Sequence, residues 1–207
     1  MKCQIEDCNK IKWAKGYCNM HYWRLRNLGS PHAKTIFTKN EIVIKKNYAE
    51  IILTDKKFIE VARSKIDIRD IPLVSKYKWR ISHLGYINRT NYQNGAKHSQ
   101  TLGELLIGKA PHPLVIDHKN RNPLDNRKQN LRFATKSNNG ANRKNRGKTS
   151  KYKGVRLYRD RVRWVAYAGY FGVNIYLGIF SSELKAARAY DEMAVQLHGE
   201  YAYQNFG

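Results

Sequence analysis

From Asn126 to Arg159 the chain carries twelve Lys or Arg residues and not one Asp or Glu. This stretch constrains the fold in two ways. Between 137 and 151 it is rich in Asn, Lys, Arg, Gly and Ser, the composition of a flexible basic linker, so it divides the chain into parts. Its unbalanced charge also calls for a polyanionic partner. The whole chain repeats the imbalance: Lys plus Arg outnumber Asp plus Glu by 39 to 16, a formal charge of +23. A solvated surface usually mixes both signs. Such an excess favours DNA or RNA, held largely through phosphates and therefore sensitive to salt.

An anionic membrane is the rival partner. No apolar run approaches the ~20 residues a spanning helix needs, and Met1-Lys2 leads straight into cysteine and polar residues, unlike a signal peptide. The expectation is a soluble, intracellular protein with no membrane association and no small-molecule substrate.

All three cysteines fall within the first twenty residues, an odd, clustered set that argues for metal over disulfides. With His21, the series Cys3-x4-Cys8-x9-Cys18-x2-His21 offers the four ligands of a closed structural zinc site. Residues 1–30 are too few to bury a core, so metal would hold them folded. The alternative is three free thiols and an incidental histidine in a disordered arm.

Residues 38–110 read as a β-rich region. Strands are expected at Glu41–Ile44, Tyr48–Leu53 and Phe58–Ala62, with Thr54–Lys57 as a turn. A helical piece from Asp70 to Tyr77 has Pro72 in its first turn. Lys78–Ile81 and Tyr86–Arg89 form a hairpin across His83-Leu84-Gly85.

Region 111–143 carries the chemistry. Leu114-Val115-Ile116 is a short apolar strand that delivers Asp117 and His118. A polar loop runs from Lys119 to Gln129, Leu131–Ala134 returns as a strand, and Thr135 caps a short helix bearing Asn139. Asp117 is a hard oxygen ligand suited to magnesium or manganese, and the Asn139 amide oxygen is a weaker one. His118 can take a proton from water. Asn130, with two donors and an acceptor, can pin the loop. The bland alternative is a chance Asp-His pair in a turn.

Asp117-His118-Lys-Asn-Arg-Asn-Pro-Leu-Asp-Asn126, followed by Asn130-Leu131-Arg132 and Ser137-Asn138-Asn139, resembles the HNH homing endonucleases of phages and other mobile elements. The resemblance implies a ββα-metal core with His118 as general base, Asp117 and Asn139 as metal ligands and Asn130 as the structural asparagine of the catalytic set. The last histidine of the family's name is replaced by Asn139, and Gly103-Glu104 stands where many members carry His-Arg. The cysteine cluster is similar to the small zinc fingers at the N-termini of phage HNH proteins.

The last region, 151–207, alternates as strands and ends in one helix. Val162, Trp164, Ala166 and Ala168 are expected on one face, and Arg161, Arg163, Val165 and Tyr167 on the other. Ser181 caps the helix and His198-Gly199 stops it. Tyr152–Arg156, Trp164-Val165-Ala166, Tyr176–Phe180, Ala186–Asp191 and Asn205-Phe206 resemble the APETALA-two/ERF domain of plant transcription factors. That implies a three-stranded antiparallel sheet on one helix, inserted in a DNA groove. Lys153, Arg156, Arg159, Arg161, Arg163, Tyr167 and Tyr176 are the candidate DNA contacts, and Trp164 packs on the helix. The plant pattern's acidic residue and second tryptophan are missing, with Tyr167 and Tyr176 near their places. His32, His83, His98, His112 and His198 read as ordinary surface or loop residues.

The expected fold is α+β. It comprises a zinc finger (1–30), a β-rich region (38–110), an HNH nuclease core (111–143), a basic linker (144–150) and an APETALA-two/ERF-like DNA-binding domain (151–207). The leading function is a site-selective DNA endonuclease of the homing type, acting on double-stranded DNA with catalytic Mg2+ or Mn2+ and structural Zn2+. A non-catalytic DNA-binding regulator with a decayed site is the alternative, and an RNA-binding protein ranks last because A-form grooves suit an inserted sheet poorly. The oligomeric state stays open, a monomer included.

Overall fold

The computed structural model describes residues 1–35, 38–93, 96–145, 147 and 149–207. Among these, five α-helices combine with four small antiparallel sheets, a mixed α and β architecture. No described helix is long and apolar enough to cross a membrane. Arg146 and Lys148, within the expected linker, lie outside the described residues.

The cysteine-bearing loops lead into α1 (Asn19–Leu28), which stops at Gly29. Gly29 takes φ 74° and returns its N–H to the Leu25 carbonyl, a left-handed cap that glycine adopts without steric cost. Strands β1 (Ile42–Ile44), β2 (Ala49–Thr54) and β3 (Glu60–Ile66) form the first sheet in that order. In β2 Ala49, Ile51 and Leu53 are fully buried.

The helix expected over 70–77 is much shorter. A 3-10 turn at Ile68–Asp70 passes into α2 (Ile71–Val74), with Pro72 in its first turn as expected. It ends at Val74 because that carbonyl accepts the Trp79 indole N–H at 3.0 Å and the Tyr77 amide at 3.2 Å. Seating the indole in the core turns the chain out of the helix.

The expected hairpin across His83–Gly85 is present as β4 (Arg80–Ile81) with β5 (Ile87–Gln93). A third strand, β6 (Ala96–Thr101), and the helix α3 (Leu102–Ile107) complete this unit. Thr101 and Glu104 cap α3 reciprocally, each side chain taking the other's backbone N–H. That Thr-x-x-Glu pattern was readable in the sequence as a helix start.

Strands β7 (Val115–His118) and β8 (Leu131–Ala134) pair with Asp117 opposite Arg132 and His118 opposite Leu131. Helix α4 (Lys136–Asn142) follows, with the Thr135 hydroxyl accepting the Asn138 amide. Leu131 and the half-buried Ile116 and Leu124 join Ile51, Leu53, Ile66, Trp79 and Leu102 in one hydrophobic cluster. The β7–β8 hairpin is thereby packed directly on the preceding sheets.

The C-terminal sheet contains β9 (Val155–Leu157), β10 (Trp164–Tyr170) and β11 (Val173–Phe180), with β10 central. Helix α5 (Glu183–His198) lies on it through Ala186, Ala187, Tyr190 and Ala194. Trp164 packs into this cluster. The cap is Ser182 rather than Ser181, its hydroxyl accepting from the Lys185 amide.

The face alternation needs correction. Val162 is 75% exposed, because Tyr158–Arg163 is a turn anchored on Asp160, and the strand begins only at Trp164. A register shift at Ala166/Tyr167 then leaves Leu177 unpaired and turned into the core. Gly154 fits tightly: at φ 77° a Cβ there would lie 2.0 Å from the Tyr190 ring. His198 is not a surface residue either. It is buried, with Nε2 donating to the Gly169 carbonyl and Nδ1 3.1 Å from Asn138 Oδ1.

Trp79 is the largest fully buried side chain of the main cluster. Trp79→Ala is expected to lower unfolding free energy by about 3–5 kcal/mol, the usual cost of deleting a core aromatic. Urea denaturation followed by far-ultraviolet circular dichroism measures it.

Candidate functional site

The loop from Lys119 to Asn130 has little apolar surface of its own and is held by carboxamides. Asn130 is buried; its Oδ1 accepts the Asn120 amide, and its Nδ2 donates to Asn120 Oδ1 and the Asp125 carbonyl. Asn120 also donates to Asp125 Oδ2. The Arg127 guanidinium grips both Asp125 oxygens, at 2.7 and 2.6 Å, and holds that carboxyl below its usual range. The loop is tied to the first sheet as well: Lys65 and Leu124 share a backbone bond, and the Asn126 amide returns to the Lys65 carbonyl.

This scaffold fixes the His118 ring. Asn126 Nδ2 donates to Ser64 Oγ and to the Pro123 carbonyl, both at 3.0 Å. A carbonyl can only accept, so Asn126 Oδ1 is the atom turned to His118 Nε2, at 3.3 Å. Nε2 therefore carries the proton, and Nδ1 is left as the basic nitrogen. The ring also lies 6.0 Å from that of Tyr86. Burial pulls the His118 pKa below 6.5, against the opposing pull of the Asn126 bond and of Asp117 and Asp125.

Asp117 is buried and accepts from two side chains. Arg132 Nε lies 2.9 Å from Oδ2, and Asn142 Nδ2 lies 3.0 and 3.1 Å from the two oxygens. The same Asn142 nitrogen reaches the His118 carbonyl at 2.8 Å. Asn142 escaped the sequence reading. Its spacing from Asn139 was the available signal, since residues three apart on a helix share a face. Asp117, His118, Asn139 and Asn142 line one cleft of about 460 Å³, with Arg121, Arg143 and Lys144 on its rim. Asn130 stays outside it, beneath the loop.

The cleft fits a hard divalent cation. It offers the Asp117 carboxylate and the Asn139 carboxamide, and Oδ1 of Asp117 accepts from Asn142 alone, leaving a lone pair free. At the N-terminus, the ligand atoms of Cys3, Cys8, Cys18 and His21 all lie within 4.8 Å of one another. Cys8 and Cys18 sulfurs are 3.9 Å apart, and His21 Nδ1 is 3.3 Å from Cys3 and 3.5 Å from Cys18. A tetrahedral zinc with bonds of about 2.3 Å to sulfur requires ligand edges of this size. Burial raises the Cys3 thiol, but hydrogen bonds from Ile5, Cys18 and His21 outweigh it and bring the pKa down to about 6. That favours the thiolate a metal needs.

On the C-terminal sheet Arg156 stacks on Tyr167, 4.7 Å from the ring centre, and Tyr167 neighbours Tyr176 at 5.6 Å. Arg159, Arg161 and Arg163 are exposed around the β9–β10 turn, with Arg163 paired to Asp160 at 2.6 Å. Lys153, a candidate DNA contact from the sequence, is turned towards helix α4. Its amine points at the end of α4, 3.1 Å from the Gly140 carbonyl and 2.7 Å from that of Arg143. A lysine in the groove between α4 and the sheet is better satisfied by helix-end carbonyls than by water.

The HNH endonuclease family model matches residues 99–141, from β6 through α3, the hairpin and α4. A protein of Acanthamoeba polyphaga mimivirus, described as an uncharacterized HNH endonuclease, is 32% identical over 134 residues. The match covers 65% of this chain and 70% of the viral protein. An AP2-like ethylene-responsive transcription factor of Arabidopsis thaliana is 44% identical over 61 residues, and an APETALA2-like protein of Oryza sativa subsp. indica 41% over the same length. Those matches cover 30% of this chain but only 13% and 14% of the plant proteins.

In metal-free protein the His118 imidazole is expected to titrate below 6.5 by NMR. A histidine with a lowered folded-state pKa favours the neutral form. Its contribution to stability is present above pH 6.5 and is lost as pH falls towards the folded-state value. A midpoint above 6.5 would contradict the buried, Asn126-bonded ring.

Proposed function

Because this chain belongs to the HNH endonuclease family, we propose that it is a divalent-metal-dependent DNA endonuclease of the homing type. The observation carrying this reading is the cleft that joins Asp117, His118 and Asn139 beneath a rim of Arg121, Arg143 and Lys144. In this reading the β7–β8 hairpin and α4 are a ββα-metal core. Asp117 and Asn139 hold Mg2+ or Mn2+, which when bound stabilises the scissile phosphate and leaving oxygen.

The chain's own groups do the rest. The rim cations orient the phosphates, and His118 Nδ1 takes the proton of the attacking water. Asn126 keeps the ring in that tautomer. Asn130 acts from below, holding the loop that carries Asn120 and Asp125. Asn142 and Arg132 orient the Asp117 carboxylate.

The segment 151–207 is proposed as a DNA-reading module. Arg156, Tyr167 and Tyr176 offer a cation and aromatic surface, flanked by Arg159, Arg161 and Arg163. The 61-residue likeness to plant transcription factors supports this. Cys3, Cys8, Cys18 and His21 are proposed to bind one structural Zn2+, supported by their mutual distances. Units 1–30, 38–110, 111–143 and 151–207 then act as linked DNA contacts, gaining affinity through effective concentration.

A second reading, a DNA-binding regulator that does not cut, draws on the Arg132–Asp117 ion pair, which already neutralises the carboxylate. Incubation with plasmid DNA separates the two. Wild-type protein is expected to cut with Mg2+ or Mn2+ and not with EDTA. His118→Ala is expected to lose about 10²–10⁴-fold in rate, the usual worth of a general base, while still binding DNA. An uncut plasmid in both metals, with tight binding, would favour the regulator. For the finger, one zinc per chain is expected by atomic absorption, lost in Cys18→Ser.

A further inference from the structure

Helix α4, which carries both Asn139 and Asn142, should not form on its own. It has seven residues, Lys-Ser-Asn-Asn-Gly-Ala-Asn, far short of the ~12–15 that even good helix formers need in water. Asn and Gly are poor formers besides. Thr135 caps its N-terminal end from within the hairpin. Asn142 ties it to Asp117 and His118 of β7, and a second set of supports comes from beyond residue 150.

Lys153 Nζ donates to the carbonyls of Gly140, which also accepts the Arg143 amide, and of Ala141 and Arg143, at the end where a helix leaves its last acceptors short of partners. The Tyr203 amide adds a bond to Ala141 at 3.3 Å. Along the flank, the Phe171 amide donates to Ser137 Oγ, and His198 faces Asn138. An ammonium at this end also complements the helix dipole.

Lys153 is itself held by its own module. Its amide donates to Asn205 Oδ1 at 2.7 Å, and Asn205 is fastened to the Asp191 carboxylate of α5. A continuous path of hydrogen bonds therefore runs from α5 through Asn205 and Lys153 to α4, and from Asn142 to Asp117. Burial, with Arg121 and Arg143 nearby, brings the Lys153 pKa down to about 8, as expected of an amine enclosed between two units.

We propose that Lys153 is a positioning residue of the cleft, through which the C-terminal module folds α4 and so sets Asn139 and Asn142. The module that reads DNA is then a structural part of the site that cuts it. The inference rests on the nuclease reading for its catalytic consequence, but not for its structural test.

The test is hydrogen exchange by mass spectrometry on the full chain, comparing wild type with Lys153→Met and Lys153→Arg. In Lys153→Met the peptide covering 136–142 is expected to exchange about tenfold faster or more, while the peptide covering 183–198 keeps its protection. Lys153→Arg, which keeps donors for the carbonyls, should restore much of the slow exchange. Cleavage by Lys153→Met should fall in kcat with little change in KM for DNA. Unchanged exchange over 136–142 in Lys153→Met overturns the proposal. Should that variant also deprotect 183–198, Lys153→Gln, with one amide donor group, decides by the same comparison. A wild type that does not cut DNA would refute the nuclease reading, while the exchange data would still decide this one.

Discussion

The three hydrogen bonds of Asn130 close the Lys119–Asn130 loop on itself, and the geometry of the cleft depends on that closure. A segment this polar cannot be held by burying hydrocarbon. Its buried backbone and amide groups must find partners or pay the full cost of desolvation. Asn120, Asp125, Asn126 and Asn130 satisfy one another and reach out to Ser64 and Lys65 of β3. One consequence is local: the Asn126 oxygen has only the His118 ring left to face, and this sets the imidazole tautomer. A rigid polar network thus does for the general-base candidate what a hydrophobic pocket does elsewhere.

Electrostatics explain why so basic a chain can still build a defined centre. Its sixteen acidic residues are few, and several are placed where they organise rather than neutralise. Asp125 gathers Arg127, Asp70 receives Lys128, Asp117 receives Arg132, and Asp160 anchors the β9–β10 turn with Arg163. The partly buried pairs among them fix orientation more than they add stability, since desolvation offsets much of the attraction. Arg132 shows the point. It meets Asp117 on one side and stacks on Tyr201 at 3.7 Å on the other, joining the hairpin to the C-terminal tail. Arg121, Arg143 and Lys144, by contrast, lie exposed along the cleft.

Local signals were the legible ones. Apolar runs marked the strands at 41–44 and 48–53, while the strand expected at Phe58–Ala62 lies further on, at Glu60–Ile66; Thr135 and Gly199 marked helix ends. The spacing of Asp117, His118 and Asn139 pointed to one site, and one cleft is lined by all three. Other features were legible but passed over, such as the Thr101–Glu104 capping box of α3 and the Asn139–Asn142 spacing. Some could not be read locally at all. Val162 fits a strand pattern until Asp160 claims its amide for a turn, and α2 stops early because Trp79 takes the Val74 carbonyl. His198 reads as a helix-stop residue, yet packing buries it between α4 and the sheet.

By itself the sequence determined which chemical groups are available: a carboxylate and imidazole at a strand end, carboxamides at fixed spacing, four soft ligands near the N-terminus, and a large cationic excess. Residue type and short-range periodicity decide these, and neither needs long-range contact. Only the tertiary structure decided which groups face one another. It set Lys153 against the end of α4, brought Asn142 onto Asp117, and set Arg132 between a carboxylate and Tyr201. Each of these is a choice among competing partners, made when distant segments exclude water from the groups between them. The desolvation cost of an unpaired polar group then selects the pairing, and no local pattern encodes it.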